Sequence, residues 1–329
     1  MRNYFLAIAT TISCCCYAGN NPRQSLSSAI EAGDLGLVQK YINNGEVGID
    51  DLSDDDLFGV SPIIEAAKAG RISLFPYLLE KGAHVDGFSM MDTTALVELL
   101  KKSNKISRME LLKGVTLLLD HDAQVDKLVL GHYTALMVAC QYARFPELIE
   151  LLIERGANVN RVSKDGNSPF TLALTHKNTQ ALAILHKKGV DFTQLTPSGN
   201  TPLGLLASKG DVWMAKHFEQ YVPLEVNQRD AASLTPAMWA VINDHLEFLQ
   251  FLTNRGADLT LATLNETQLD HRTASNISLK VLIFPKGSTV YTFSHHFDHH
   301  AITRWLLRKG VPKTEDLKVV TRQKKSFNE

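Results

Sequence analysis

The sequence predicts an all-α protein, a solenoid of about eight helix-turn-helix units joined by hairpin fingers. The first observation is a helix-opening signal, Ser or Thr followed by Pro or Ala. It recurs at positions 61, 94, 134, 168, 201 and 235, in steps of 33, 40, 34, 33 and 34 residues. The second is a closing signal with the same period, in which two large apolar residues precede a few polar residues and then Gly-Ala or a variant. Self-similarity at such a fixed period indicates a repeat architecture.

Each signal has a physical reason. A Ser or Thr hydroxyl before the first turn accepts a backbone N–H that the helix leaves unpaired, and a proline there has no N–H to lose. In the closing signal, Leu151-Leu152 would bury the second helix of its unit, and Gly156 permits the left-handed residue that ends it. Turn-forming residues such as those at 164–167 then predict a hairpin before the next unit.

This pattern resembles the ankyrin repeat family. The resemblance implies inner and outer helices, hairpin fingers and a concave groove that binds a protein. We expect residues 23–312 to form the repeat domain, with an insertion at about 261–287. In the insertion, Ile277 to Phe284 is strand-like, and both an extended finger and a partner-contacting arm remain open. One departure concerns the family's histidine after Thr-Pro-Leu, which would be replaced by Ile64, Val97, Met137, Thr171, Gly204 and Met238. The hydrogen-bonded link between neighbouring repeats is therefore expected to be missing.

The resemblance also places candidate binding residues. The fifth residue of the Thr-Pro-Leu template faces the groove in the family, and the ninth lies nearby. Exposed aromatic residues are typical anchors of protein interfaces. The alternative is that helix packing or the insertion buries this stripe. The expected partner-binding residues are Val138, Tyr142, Leu172, His176, Leu205, Trp239, Phe293 and Phe297.

The N-terminal residues predict export. Arg2 precedes an apolar run from Tyr4 to Ile12, so residues 1–18 have the composition of an export signal, and the run is too short to span a bilayer. Ser13-Cys14 resembles the cleavage site of bacterial lipoproteins, in which the cysteine is lipidated. Cleavage after Ala18 is the alternative. We expect a periplasmic protein or an outer-membrane lipoprotein that touches membrane only through its lipid.

Composition and motifs exclude several classes. A formal net charge of -1 gives no field that would attract nucleic acid. Residues 313–329 are expected to be a solvated basic tail, and Cys140, the one cysteine beyond the leader, a buried inert thiol. The histidines from His295 to His300 have a spacing that could hold zinc, but the repeat template already accounts for His299. No enzyme, cofactor or metal is predicted.

The combined pattern predicts an exported protein-binding module. It resembles the secreted ankyrin proteins that bacteria use as immunity partners, which block a toxic effector such as a phospholipase delivered by type VI secretion. A periplasmic accessory protein that supports an enzyme, and an effector directed at a host, remain alternatives. A metal-dependent enzyme that uses the histidine cluster is a further alternative.

Overall fold

The computed structural model describes residues 21–53, 59–90, 92–129, 132–143, 145–193, 195–196, 199–272, 279–314 and 319–323. Cys14 and the leader lie outside these ranges. The chain forms two compact units, Met1–Gln124 and Val125–Glu329.

Unit 1 contains three helix pairs in its described part. The inner helices α1, α3 and α5 pack against one another in chain order, and each carries an outer helix on one side. The pairs are α1 (Pro22–Ala32) with α2 (Leu35–Asn43), α3 (Pro62–Ala69) with α4 (Phe75–Glu80), and α5 (Ala95–Leu100) with α6 (Arg108–Asp120). A short 3₁₀ turn, Ile72–Leu74, precedes α4.

Unit 2 contains five further pairs in its described part. Its inner helices α7, α9, α11, α13 and α15 also pack in chain order. The pairs are α7 (Ala135–Tyr142) with α8 (Pro146–Glu154), α9 (Pro169–Thr175) with α10 (Thr179–Lys187), α11 (Pro202–Ser208) with α12 (Val212–Phe218), α13 (Pro236–Ile242) with α14 (Leu246–Thr253), and α15 (Val290–His296) with α16 (His300–Arg308). The predicted all-α repeat solenoid is confirmed.

Most of the repeat signals act as predicted at the helix ends, but the Ser61 hydroxyl does not cap its helix and instead accepts from the Phe88 backbone N–H at 3.1 Å. The hydroxyls of Thr134, Ser168 and Thr235 accept the backbone N–H three residues on. Gly156 follows an outer helix with φ 93°, in the left-handed region where a side chain would be strained. These contacts are local, which is why the sequence alone revealed them.

The insertion forms a small antiparallel sheet in the order β1-β2-β3. Its first two strands, β1 (Thr267–Arg272) and β2 (Leu279–Phe284), pair as a hairpin. This confirms the strand-like reading of the stretch that ends at Phe284. The third strand, β3 (Val320–Gln323), comes from the segment expected to be a solvated tail, and it pairs with β2. That expectation is therefore wrong for residues 320–323.

Hydrogen-bonded links between neighbouring repeats are present, but they come from positions other than that of the family's histidine. Side chains just before the outer helices, rather than on the inner ones, reach back to the preceding repeat. Asn178 Nδ2 donates to the carbonyl oxygens of Cys140 and Ala143 at 3.0 and 2.6 Å. His245 Nε2 lies 3.2 Å from the oxygen of Ser208, in the position to donate. Among the residues that the structure describes, side chains of this kind include Arg71, Asn178, His245 and His299.

A second row of links joins the loops that follow the outer helices. The carboxylate of Asp50 accepts from the His84 backbone N–H at 3.1 Å, and the Asn227 side chain accepts from Asp258 at 2.8 Å. Acceptors in this row, within the described ranges, include Asp50, Asp86, Asp126 and Asn227. Both rows tie consecutive repeats together at regular intervals within each unit.

Among the helices in the described ranges, none combines the length and the apolar content needed to cross a membrane.

Candidate functional site

Three of the residues expected in the groove are buried and cannot act as exposed anchors. Val138 and Leu172 are 2% and 5% exposed, because successive inner helices pack closely against each other. Phe293 is 0% exposed. Phe284, at the end of β2, covers it with ring centroids 4.5 Å apart. The expected exposure of these three side chains is therefore wrong, and for Phe293 the insertion is the cause.

The other five expected residues, Tyr142, His176, Leu205, Trp239 and Phe297, are half-buried. In α11 and α13, the residues on both sides of Leu205 and Trp239 are buried, so each inner helix shows the fifth position of the template at its surface. Phe297 also lies beside Phe284, with centroids 5.8 Å apart. The accessible stripe therefore consists of the fifth position on α11 and α13 and of Tyr142 and His176 at the C-terminal ends of α7 and α9, and the insertion covers the fifth position on α15.

Trp239 is held in a fixed position. Its Nε1 donates to Asp230 Oδ2 at 2.6 Å. Asp230 is 8% exposed and also accepts from the backbone N–H of Leu234 at 2.8 Å, which fixes the carboxylate in the preceding finger. The indole packs over Gly204, where an added Cβ would lie 3.3 Å from Trp239 Cδ1. A half-exposed aromatic ring that is already immobilised loses little entropy when it is covered by a partner.

The fingers of unit 2 expose further apolar side chains. Val162, Leu195 and Leu264 are 54%, 47% and 55% exposed. The finger around Val162 is fixed by a reciprocal pair, in which Ser163 N donates to Asn167 O at 2.9 Å and Asn167 N donates to Ser163 Oγ at 3.0 Å. Sequence reasoning missed these residues. The available signal was positional, because Val162 and Leu195 both lie six residues before the Ser or Thr of their repeat.

The fifth position of the second repeat is a buried ion pair. In unit 1, Glu65 Oε2 accepts from Arg23 Nη1 at 3.0 Å, and Arg23 also donates to the Val60 oxygen at 3.0 Å. Burial raises the pKa of Glu65, and the Arg23 guanidinium partly offsets that rise. This site holds the first two repeats together and offers no apolar surface to a partner.

The histidine cluster has structural contacts. Within the described ranges, no group of three or more His, Cys, Asp or Glu side chains is placed to hold a metal ion. His299 Nε2 lies 3.3 Å from the Ile242 oxygen and links two repeats, and the ring of His296 packs at 5.1 Å against Phe284.

Cys140 is buried, and burial raises the pKa of its thiol, which keeps it in the unreactive neutral form.

Comparison with known proteins agrees with this geometry. A family model described as "Ankyrin repeats (3 copies)" matches three overlapping stretches, residues 106–196, 136–218 and 170–263. Residues 106–263, just under half of the chain, thus match ankyrin repeats. Ankyrin-repeat proteins are in general protein-protein interaction modules rather than catalysts, and residues 106–263 contain the half-buried stripe on α7, α9, α11 and α13.

The similar proteins named here are eukaryotic. Alpha-latrocrustotoxin-Lt1a of Latrodectus tredecimguttatus is 22% identical over 236 residues, which is 70% of this chain and 16% of that protein. The probable E3 ubiquitin-protein ligase XBOS32 of Oryza sativa is 30% identical over 154 residues, 46% of this chain and 30% of that protein. Ankyrin repeat protein nuc-2 of Neurospora crassa is 24% identical over 235 residues, 71% of this chain and 21% of that protein. The chain spans less than a third of each of these relatives.

Proposed function

We propose that unit 2 binds a protein partner through one continuous surface made of the inner-helix stripe and the fingers. Its residues, called the groove surface below, are Tyr142, His176, Leu205, Trp239, Val162 and Leu195. The observation that carries the proposal is Trp239, half-exposed on its helix and fixed by a 2.6 Å hydrogen bond to Asp230. Trp and Tyr on a rigid scaffold are the residues that most often dominate binding energy.

The insertion indicates what kind of side chain fits this surface. Phe284 lies on Phe293, which has the same template position in α15 that Trp239 has in α13. The chain thus covers this position in its own last repeat with an aromatic residue from an extended strand. We infer that the partner places apolar or aromatic side chains on Leu205 and Trp239.

We further propose that the protein is exported and sequesters its partner in a bacterial envelope, as a periplasmic protein or a lipoprotein modified at Cys14. The support is the leader, with its apolar run from Tyr4 to Ile12 and Ser13-Cys14. Immunity to a type VI secreted effector, such as an antibacterial phospholipase, is the form of sequestration that the sequence resemblance favours. Because the relatives named above are eukaryotic, this finer role rests on the leader and on that resemblance.

The groove surface is tested by affinity capture with matched variants. The tagged full chain is used to capture proteins from cells of its own organism, beside Trp239→Ala, Val162→Asp/Leu195→Asp and Trp213→Ala. Trp213→Ala is the control, because Trp213 is also a tryptophan and is 52% exposed on an outer helix, away from the groove surface. One protein held by the wild type and by Trp213→Ala, and lost from the two groove variants, is the expected result. A partner retained by both groove variants would refute the assignment.

The finer role is tested separately. The captured protein is purified and its Kd measured, and its toxicity is assayed in bacterial cells with and without the full chain. Suppression of toxicity by the wild type, but not by Trp239→Ala, is expected for an immunity protein. A partner with no toxicity would contradict immunity while leaving the binding surface intact. Labelling with radioactive fatty acid, lost in Cys14→Ala, tests the lipid anchor.

A further inference from the structure

Unit 2 has an uneven distribution of charge on its outer helices. Helices α10, α12 and α16 contain no Asp or Glu, and α14 contains only Glu247. Helix α8, one repeat earlier, carries Glu147, Glu150 and Glu154. The formal net charge of the whole chain is -1, so this is segregation of charge rather than a general excess.

The charged side chains that α10, α12 and α16 expose are basic. The exposed cations on or directly after α10, α12 and α16 are Lys187, Lys188, Lys216, Arg304, Arg308 and Lys309. Two carboxylates next to α12 are engaged by other cations: Glu219 pairs with Arg255 at 2.7 Å, and Asp211 pairs with Lys177 at 2.6 Å. We call the six cations together with Trp213 the basic outer face.

A structural reason accounts for part of this pattern. Lysines in the last turn of a helix, such as Lys187 and Lys216, interact favourably with the negative end of the helix dipole. The dipole explains each lysine, but it equally favours acidic residues in the first turn, and α10, α12 and α16 have none there. The lack of acids on three outer helices needs a different cause.

Exposed aromatic and apolar side chains lie among these cations. Trp213 is 52% exposed, and the ring of His217, one turn later, packs against it with centroids 4.0 Å apart and the ring planes tilted by 37°. In α16, Leu307 is 39% exposed, and the Lys309 ammonium lies 5.7 Å from the ring of Trp305. Tryptophan beside lysine and arginine is the composition found where proteins meet the headgroup region of a bilayer.

We propose that the basic outer face of unit 2 docks on an anionic membrane surface, with the lysines and arginines near lipid phosphates and Trp213 at headgroup depth. Charge complementarity favours an anionic surface, and the exposed Trp213 among the cations favours lipid headgroups over an acidic protein. This surface is distinct from the groove surface, and the proposal does not depend on the partner or on the leader.

The test measures binding of the full chain to vesicles of phosphatidylcholine alone and of phosphatidylcholine mixed with phosphatidylglycerol. For each variant, the partition coefficient on mixed vesicles is divided by the one on phosphatidylcholine alone. All variants carry the same leader, so its contribution cancels when their ratios are compared. Each lysine near an anionic surface raises affinity by about fivefold, so Lys187→Gln/Lys188→Gln/Lys216→Gln should lower the ratio by about a hundredfold. Raising the salt concentration should lower the wild-type ratio.

The matched control removes three exposed lysines from unit 1, as Lys40→Gln/Lys105→Gln/Lys113→Gln. Its ratio should stay within about twofold of the wild type. A blue shift of tryptophan emission on anionic vesicles, lost in Trp213→Phe, would place that indole at the headgroups. Equal losses in the two triple variants would overturn the proposal. A wild-type protein with no preference for anionic vesicles would also overturn it. In that case, binding to polyglutamate that is lost in the Lys187→Gln/Lys188→Gln/Lys216→Gln variant would identify an acidic protein as the partner.

Discussion

The link made by Asn178 gives the sharpest test of how neighbouring repeats are coupled. The side chain is 2% exposed and makes three hydrogen bonds. Its Nδ2 donates to the oxygens of Cys140 and Ala143 at 3.0 and 2.6 Å, and its Oδ1 caps α10 by accepting from Ala181 N at 3.1 Å. Asn178→Ala removes all three, leaving two buried carbonyls and one helix end without partners.

The expected cost follows from these contacts. A lost helix cap costs about 1 kcal/mol, and each lost hydrogen bond to a buried carbonyl costs about 1 kcal/mol, so Asn178→Ala should destabilise unit 2 by about 3 kcal/mol. Asn227→Ala is the matched control. Asn227 also bonds to the next repeat, at 3.3 Å to Gly256 O and 2.8 Å from Asp258 N, but it is exposed. Water replaces its bonds, so less than about 1 kcal/mol is expected.

Asn178→Asp separates the cap from the link. The new carboxylate keeps the cap acceptor but faces two carbonyl oxygens without a proton to donate. Burial and these oxygens should raise the pKa of this carboxyl above its unfolded value. A folded-state pKa above the unfolded one means that stability is greatest below the unfolded pKa and is lost as the pH rises through the folded one. Asn178→Asp should therefore be less stable than Asn178→Ala at neutral pH and recover as the pH falls.

The assay is urea denaturation followed by circular dichroism, with amide hydrogen exchange of α10 as a local probe. Hydrogen exchange is needed because repeat arrays do not always unfold in a single step. If Asn178→Ala and Asn227→Ala had the same small effect, the buried link would contribute nothing beyond the exposed one. A pH-independent Asn178→Asp would show that the carboxylate is not held against the two carbonyls.

Three further predictions concern stability and are measured by the same urea titration. Arg23→Met should lower the free energy of unfolding by about 3 kcal/mol, because the Glu65 carboxylate then lacks its partner. The double variant Arg23→Met/Glu65→Leu should recover most of this stability, and an equal loss in both variants would contradict the prediction. Gly87 has φ +66°, and an added Cβ would lie 2.6 Å from the Ile64 side chain, so Gly87→Ala should lower stability by about 3 kcal/mol. Gly82 has φ +87° with open space around it, so the control Gly82→Ala should lower stability by only about 1 kcal/mol. Hydrogen bonding to its arginine partner lowers the pKa of Glu219, so the stabilisation is present above the unfolded pKa and lost as the pH falls through the folded one. Glu219→Gln should cost less than about 1 kcal/mol at neutral pH and nothing in acid, and a cost that persisted in acid would refute the ion-pair account.

Much of the fold could be read from the sequence because its determinants are local. The hydroxyl of Thr235 caps its helix through an N–H three residues away, and Gly156 ends an outer helix by its own backbone conformation. Such signals lie within one repeat and recur in the next. The period, the helix pairs and the strand that ends at Phe284 were therefore predictable.

The candidate site was only partly predictable because exposure depends on residues far away in the chain or in another repeat. Trp239 and Phe293 occupy the same template position, yet one is half-exposed and the other buried, since Phe284 from the insertion covers Phe293. The links made by Asn178 and His299 likewise join residues 38 and 57 positions apart. The sequence by itself determined the repeats and their boundaries, which follow from hydrogen bonds within a few residues. Only the tertiary structure decided which groove positions remain open, how the repeats are tied together and where residues 320–323 lie, because each depends on packing between segments distant in the chain.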